Sequence, residues 1–134
     1  AVKAQADQVC SIVDARRGLV YAAVYEKKNS SLIKKSRDLL LSIEDLLDII
    51  KSKVFFAGDG IRLYREEILA GAHKRKGKVT PEFAGEKLWY PRASRLALLA
   101  LERARAGRFD DTGKLVPLYL YPSDCQVNKA GYRV

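Results

Sequence analysis

The residues best suited to chemistry stand in short charged segments between apolar runs. The first segment covers residues 14–18, where Asp14 is followed by Arg16, Arg17 and Gly18. A carboxylate beside two guanidinium groups could bind an anion or serve a reaction. The same residue types also form solvated turns with a local ion pair, which stabilises a fold by at most ~1 kcal/mol. Local chemistry favours the turn and leaves the functional interpretation open.

A second segment, Gly58-Asp59-Gly60, follows the apolar run 54–57 and precedes a helical pattern. A loop in this position could face a phosphate, because the free N–H groups at a helix start attract anions. The segment matches neither common glycine-rich phosphate motif, and Asp59 would repel a phosphate. The sequence therefore favours a tight turn in which Asp59 caps the helix, with ligand contact as the alternative.

The densest basic run follows His73 and contains Lys74, Arg75, Lys76 and Lys78. These side chains could contact RNA phosphates, although a solvated loop is the alternative. His73 has no Ser, Cys or Asp placed to partner it in catalysis. No residue set has metal-ligand spacing, and no nucleophile lies beside a base and an orienting group. The sequence thus predicts no catalytic residue and no metal site.

Size and composition place the chain among single globular domains. It has 134 residues, a net charge of +9 and a sequence pI near 9.7, which favours acidic partners such as tRNA or an acidic protein. Cys10 and Cys125 lie far apart, which is typical of reduced thiols in a cytoplasmic protein. No stretch approaches the ~20 apolar residues of a membrane span, and no signal peptide is visible. We expect a cytoplasmic protein that does not bind membranes.

Apolar periodicity and turn residues predict a mixed α/β sheet. In chain order, the predicted elements are a hairpin of strands 9–14 and 19–26, a strand 32–41 with an irregular middle, a helix from the Ser42 cap to residue 53, a strand 54–57, a helix 61–71, an edge strand near 78–82, a helix from Pro91 to the Gly107 cap and an extended segment 115–121. The strand 19–26 is apolar on both faces, so we expect both faces to be covered.

The predicted helix from Pro91 to Gly107 has an alanine-rich inner face that could approach another element closely. Leu98 and Leu99 extend its apolar surface beyond one stripe, so one partner within the domain does not cover it all. Four aromatic residues stand in apolar contexts, which favours packing over base stacking: Trp89, Tyr90, Tyr119 and Tyr121.

Three landmarks, in this order, resemble the TsaB family, which takes part in making N6-threonylcarbamoyladenosine in tRNA. They are IVDARRGLVYAAVY (12–25), FFAGDGIRLYREEI (55–68), and YPRASRLALLALERARAG (90–107) followed by LVPLYLYPSDC (115–125). Two positions depart from the family pattern, because Leu19 replaces a usual acidic residue and Tyr121 a common Arg.

The resemblance implies the C-terminal lobe of an actin-like (ribonuclease H-like) ATPase fold, a mixed sheet with helices on both faces. Residues 1–134 would be a single domain whose N-terminal lobe is absent. The family is a non-catalytic partner of TsaD, and the pair recruits the ATPase TsaE to modify adenosine 37 of tRNA. ATP and Mg²⁺ would act only at the level of that complex, and this chain would hold no cofactor and contact tRNA indirectly.

The resemblance also assigns roles to the charged segments. Residues 14, 16–18 and 58–60 would face the missing lobe or a partner. Independently of the resemblance, their charge keeps Lys74, Arg75, Lys76 and Lys78 as candidates for RNA contact. The surface left by the missing lobe would favour self-association. Two alternatives stay open: a catalytic lobe of a TsaD-like enzyme with residues 58–60 facing a nucleotide, and a basic RNA-binding module.

Overall fold

The computed structural model describes residues 6–29 and 31–121. The elements, in chain order, are β1 (Gln8–Asp14), β2 (Val20–Lys28), β3 (Ser31–Lys34), β4 (Leu39–Leu41), α1 (Ile43–Ile49), β5 (Lys53–Ala57), α2 (Ile61–Lys74), β6 (Thr80–Phe83), a short 3-10 helix (Glu86–Leu88) and α3 (Ala93–Arg105). The sequence did not predict the 3-10 helix.

The strands form one mixed sheet in the order β3-β2-β1-β5-β6, and β4 also pairs with β2. β1 runs antiparallel to β2, whereas β1–β5 and β5–β6 are parallel pairs. The predicted mixed sheet is confirmed. Because β1, β5 and β6 point the same way, their carboxyl ends meet at one edge of the sheet and their amino ends at the opposite edge.

The predicted strand 32–41 with an irregular middle is confirmed as two strands, β3 and β4, with a break between them. Lys35 N–H and Ser36 N–H both donate to the Val24 carbonyl, at 2.8 and 3.3 Å. The Ser36 hydroxyl in turn accepts from Val24 N–H at 2.9 Å. The side chain of Ser36 thereby takes the place of a ladder partner, and the chain rejoins β2 at Leu39.

The core lies on one face of the sheet, beneath α1 and α2. Alternate residues of β1 and β2 point into it and meet the apolar stripes of both helices. The largest fully buried side chains are Phe56, Ile12, Ile43, Leu46, Leu47, Ile50, Ile61, Ile68, Val20, Val54 and Cys10. This cluster fixes β1, β5 and the two helices relative to one another, which positions the loops at the ends of the strands.

Helix boundaries agree with the predicted caps at some ends only. The Ser42 hydroxyl accepts from Asp45 N–H at 3.1 Å, which confirms the cap of α1. α2 does not end at Gly71 as predicted, because this glycine allows close helix packing: a Cβ there would lie 2.5 Å from Leu47 Cδ1. α3 begins at Ala93 after Arg92 as its N-cap, so Pro91 is not its first residue.

α3 does not bury its apolar stripe, since none of its residues is buried. The opposite face of β2 is met by an extended segment: Tyr121 packs edge-to-face on Tyr21 at 6.2 Å between ring centroids. A groove of about 340 Å³ remains on this face, lined in part by Tyr25 and Leu118. In the described part of the chain, the cover on this face is therefore extended chain and not the packed helix that the resemblance implied.

Candidate functional site

Parallel pairing of β1 and β5 brings together the two charged segments that lie 40 residues apart in sequence. β1 leads into residues 14–18 and β5 into residues 58–60. Gly60 N–H donates to the Ile12 carbonyl at 3.2 Å, and Asp14 N–H donates to Asp59 Oδ1 at 3.4 Å. The segments form one site, which we call the β1–β5 junction (residues 14–18 and 58–60).

Gly58 makes this close approach possible. Its φ is +115°, and a Cβ built on it would lie 2.1 Å from the Ile12 carbonyl oxygen. No real side chain fits at that distance, and an L-residue is also strained at such a φ. The first glycine of the Gly58-Asp59-Gly60 segment therefore serves strand-to-loop packing.

The predicted role of Asp59 as the cap of α2 is wrong. The N-cap of α2 is Gly60, and no side chain caps that helix start. The Asp59 carboxylate accepts instead from Asp14 N–H, because Gly58 and Gly60 turn the loop toward β1. The nearest helix N–H groups close the turn internally, with Arg62 N–H donating to the Asp59 carbonyl at 3.1 Å.

Asp14 is the inward-facing anchor of the junction. Its Oδ1 accepts from Arg16 N–H at 2.9 Å and from the Tyr64 hydroxyl at 3.2 Å. Its Oδ2 lies 3.6 Å from Arg16 Nε; the Asp14 side chain is 16% exposed and that of Arg16 is 87% exposed. The carboxylate is thus satisfied within the turn, whereas the guanidinium group extends into solvent.

The turn has a run of left-handed backbone. Arg16, Arg17 and Gly18 have φ values of +66°, +56° and +75°. A left-handed residue other than glycine costs roughly 1–2 kcal/mol. The bond from Arg16 N–H to Asp14 and the bond from Ala15 N–H to the Leu19 carbonyl, at 3.0 Å, hold this backbone in place.

Two tyrosines complete the junction, and the sequence did not assign them to it. The Tyr64 hydroxyl lies within hydrogen-bond distance of Asp14 and of the Leu19 carbonyl (3.3 Å). The Tyr121 hydroxyl donates to the Ala15 carbonyl at 2.6 Å. Tyr121 was predicted only to pack in an apolar context and to depart from the family pattern, and no role at this turn was predicted for Tyr64.

Burial, followed by the hydrogen bond to Asp14, raises the pKa of Tyr64 above its ordinary value. The hydroxyl therefore remains a proton donor at neutral pH. Among the described residues, no group of three or more His, Cys, Asp or Glu side chains could hold a metal ion. The junction displays two arginines on a braced turn, and guanidinium groups bind carboxylates and phosphates through paired hydrogen bonds.

The basic run lies at the far end of α2, and its members differ in exposure. Arg75 donates to the Gly71 and Glu44 carbonyls at 3.1 and 3.0 Å and to Asp48 at 3.0 Å from Nε. Its side chain is only 17% exposed. The other candidates for RNA contact, Lys74, Lys76 and Lys78, are exposed. Contact with RNA stays a prediction for all four residues.

Cys10 is a free, buried thiol, and burial raises its pKa to about 12. Cys125 lies outside the described residues. None of the helices in the described part of the chain is long and apolar enough to span a membrane.

Comparison with curated proteins shows what this chain is similar to. Over 119 residues the chain is 34% identical to the tRNA threonylcarbamoyladenosine biosynthesis protein TsaB of Bacillus subtilis (strain 168). The predicted resemblance to the TsaB family is confirmed. The match covers 84% of this chain and 46% of the relative, so the chain spans about half the length of the curated protein it matches. No protein-family model matches the chain.

Two solved structures share the fold. One is an uncharacterised protein with similarity to peptidase YeaZ from Pseudomonas aeruginosa, with a TM-score of 0.61, 21% identity, and coverage of 89% of this chain and 51% of that one. The other is YeaZ from Pseudomonas aeruginosa, with a TM-score of 0.55, 21% identity, and coverage of 85% and 50%. The predicted fold class, a mixed sheet with flanking helices, is confirmed.

Proposed function

We propose that this chain is a non-catalytic lobe of a scaffold protein that partners TsaD in N6-threonylcarbamoyladenosine modification of tRNA. The observation that carries the proposal is the 34% identity, over 84% of the chain, to a protein named for that biosynthesis. ATP and Mg²⁺ enter this proposal only through the complex, where TsaE supplies ATPase activity.

The β1–β5 junction supports a partner-binding role over a catalytic one. Asp14 and Asp59 accept hydrogen bonds from the loop itself, so their oxygens brace the turn. Arg16 and Arg17 extend from that braced turn as exposed cations. A pair of exposed guanidinium groups on a braced turn suits an acidic protein surface, because little loop freedom is lost on binding. We assign this surface to the TsaD contact.

Reconstitution tests the proposal. The complete encoded polypeptide, TsaD and TsaE are combined with ATP, Mg²⁺, threonine, bicarbonate and the enzyme that activates threonine, and modified adenosine in tRNA is measured by mass spectrometry. We expect modification to require the polypeptide together with TsaD. The polypeptide with the activating enzyme but without TsaD should give none.

The enzyme alternative predicts a different result in the same assay. If Gly58, Asp59 and Gly60 faced a nucleotide in a catalytic lobe, the polypeptide would bind ATP tightly and turn it over without TsaD or TsaE. Calorimetry with ATP and Mg²⁺, followed by a phosphate-release assay, measures both properties. Tight binding with hydrolysis would replace the scaffold proposal by the enzyme proposal.

We further propose self-association through α3 and the extended segment after it. The exposed apolar side chains are 45–82% accessible: Leu96, Leu98, Leu99, Leu101, Leu115, Val116, Leu118 and Tyr119. Together they offer on the order of 800 Å² per copy, the area that one partner contributes to a standard interface. A monomer rarely leaves so large an apolar surface uncovered, and a second copy supplies a surface of the same kind.

A further inference from the structure

The edge of the sheet opposite the β1–β5 junction collects lysines from three parts of the chain. This edge holds the amino ends of the parallel strands, including the starts of β5 and β6 at Lys53 and Thr80. α2 starts at the junction and ends at Lys74, so its carboxyl end reaches the same edge. The five lysines concerned, which we call the lysine edge, are Lys51, Lys53, Lys74, Lys76 and Lys78.

Strand register places the lysines at the start of β5 beside the lysine that precedes β6. Lys53 is the register partner of Thr80 in the β5–β6 pair, and Thr80 N–H donates to the Ser52 carbonyl at 3.5 Å. Neighbouring strands lie about 5 Å apart. Lys51 and Lys78, each two residues upstream, therefore approach each other although 27 positions separate them in the sequence.

The turn after α2 is held in place by backbone bonds. Lys76 N–H donates to the His73 carbonyl and Lys78 N–H to the Arg75 carbonyl, both at 3.1 Å. Arg75 clamps this turn to the end of α1 through its bonds to Asp48 and the Glu44 carbonyl. The lysines thus extend from a fixed frame.

The lysines of this edge are not held in ion pairs within the described residues. All five lysines of the lysine edge are exposed, and none of them takes part in an ion pair in the described part of the chain. A groove of about 430 Å³ lies among Lys51, Lys78 and Val79, and its acidic side chain, Asp48, is already bonded to Arg75. The edge is a concentrated positive surface beside a groove.

Helix electrostatics explain only part of this arrangement. Cations near the carboxyl end of α2 favour the helix by roughly 0.3–1 kcal/mol each, and Lys74 lies in its last turn. Lys51 follows the C-cap of α1, Ile50, and Lys53 begins β5, so neither belongs to α2. A surface assembled from separate segments points to an external anion.

We propose that the lysine edge is a docking site for the phosphodiester backbone of a folded RNA. A lysine ammonium group is a point charge and cannot form the paired hydrogen bonds with which a guanidinium group recognises a base edge. Arg75, the nearby guanidinium group, is already bonded within the protein. Binding of this kind is independent of sequence and depends strongly on salt, because each neutralised phosphate releases counterions. The inference rests on the proposed function for the choice of tRNA as its probe.

The test measures binding of this chain, without TsaD, to an unmodified tRNA transcript across a salt series. K53E/K78E changes the lysine edge, and R16E/R17E makes the same change at the junction. Each pair lowers the net charge from +9 to +5, since each substitution replaces one positive charge with one negative charge. We expect K53E/K78E to weaken binding by about tenfold or more and to reduce the salt slope by about two. R16E/R17E should change affinity less than threefold. Unfolding midpoints near wild type confirm that the variants are folded.

Three outcomes would overturn the inference. The first is that the wild-type chain does not bind tRNA at low salt, and the second is that the two variants lose tRNA affinity equally. The third is that the wild-type chain binds polyglutamate more tightly than a tRNA of equal charge, which would assign the edge to an acidic protein. The result is independent of the proposed function: tRNA binding that K53E/K78E alone disrupts would stand even if TsaD did not bind, and TsaD binding would stand if tRNA binding failed.

Discussion

Tyr64 connects the junction to the core at the scale of single residues. Its ring is buried, with 9% of the residue exposed, and its hydroxyl reaches Asp14 and the Leu19 carbonyl across 50 and 45 positions of sequence. The turn that carries Arg16 and Arg17 is therefore held by a side chain of α2. Loosening this connection should affect the turn before it affects the sheet.

Y64F should lower the free energy of unfolding by about 1–2 kcal/mol, because Asp14 and Leu19 lose a buried donor. The contribution of the Tyr64 hydroxyl to stability also depends on pH, in a direction that its pKa shift defines. The pKa of Tyr64 is raised above its ordinary 10.0, so its protonated form stabilises the fold fully below pH 10, and this contribution is lost as pH rises through the folded-state pKa. Y64F should therefore lose less stability than the wild type above pH 10.

Urea unfolding at pH 7 and above pH 10 provides the measurement. Y119F is the matched control, because Tyr119 is 82% exposed and should tolerate the change within about 0.5 kcal/mol. Equal stability of Y64F and Y119F at both pH values would show that the Tyr64 hydroxyl does not brace the turn.

Sequence patterns identified the turn but not its bracing. Asp14 and Gly18 are recognisable as turn residues from their types alone. The left-handed backbone of Arg16 and Arg17 depends on bonds made by Asp14, and that carboxylate is positioned by Tyr64, which lies far along the chain. No local pattern contains that information.

At the scale of elements, the parallel pairing of β1 with β5 creates the junction, and Gly58 permits it. G58A should destabilise the fold by about 3 kcal/mol or more, because the new Cβ would overlap the Ile12 carbonyl. G18A is the matched control. Gly18 also has a positive φ, but a Cβ added there would meet no atom within 4 Å, so a cost of about 1–2 kcal/mol is expected.

Thermal and urea unfolding of both variants gives the comparison. If G58A proved no more destabilising than G18A, the close approach of the loop to β1 would not be a requirement of the fold.

The helices and strands could largely be predicted from the sequence, whereas the contacts between them could not. The hairpin, the Ser42 cap and the strand before Gly58 follow from apolar periodicity and turn residues. Gly71 was misread as a helix end, because close packing against Leu47 and a helix terminus both select glycine. The lysine edge was visible only as a run from residue 74 to 78, since strand register brings in Lys51 and Lys53.

At the scale of the whole molecule, α3 is an apolar helix without a buried residue. If a second copy covers it, L96E should shift the chain to the monomer, because it places a charge in the apolar stripe. L63E makes the same substitution at an exposed leucine of α2, outside this surface, and should leave the association unchanged. Sedimentation velocity over a concentration series measures both variants, and a wild-type chain that is monomeric throughout would contradict the proposed self-association.

The most direct test of the central proposal is the affinity of the complete encoded polypeptide for TsaD. We predict measurable binding by the wild type, a loss of at least tenfold for R16E/R17E, and nearly unchanged binding for K53E/K78E, which carries the same net charge but alters the opposite edge. Absence of binding by the wild type, with or without nucleotide, would contradict the proposal that this chain is part of a TsaD partner.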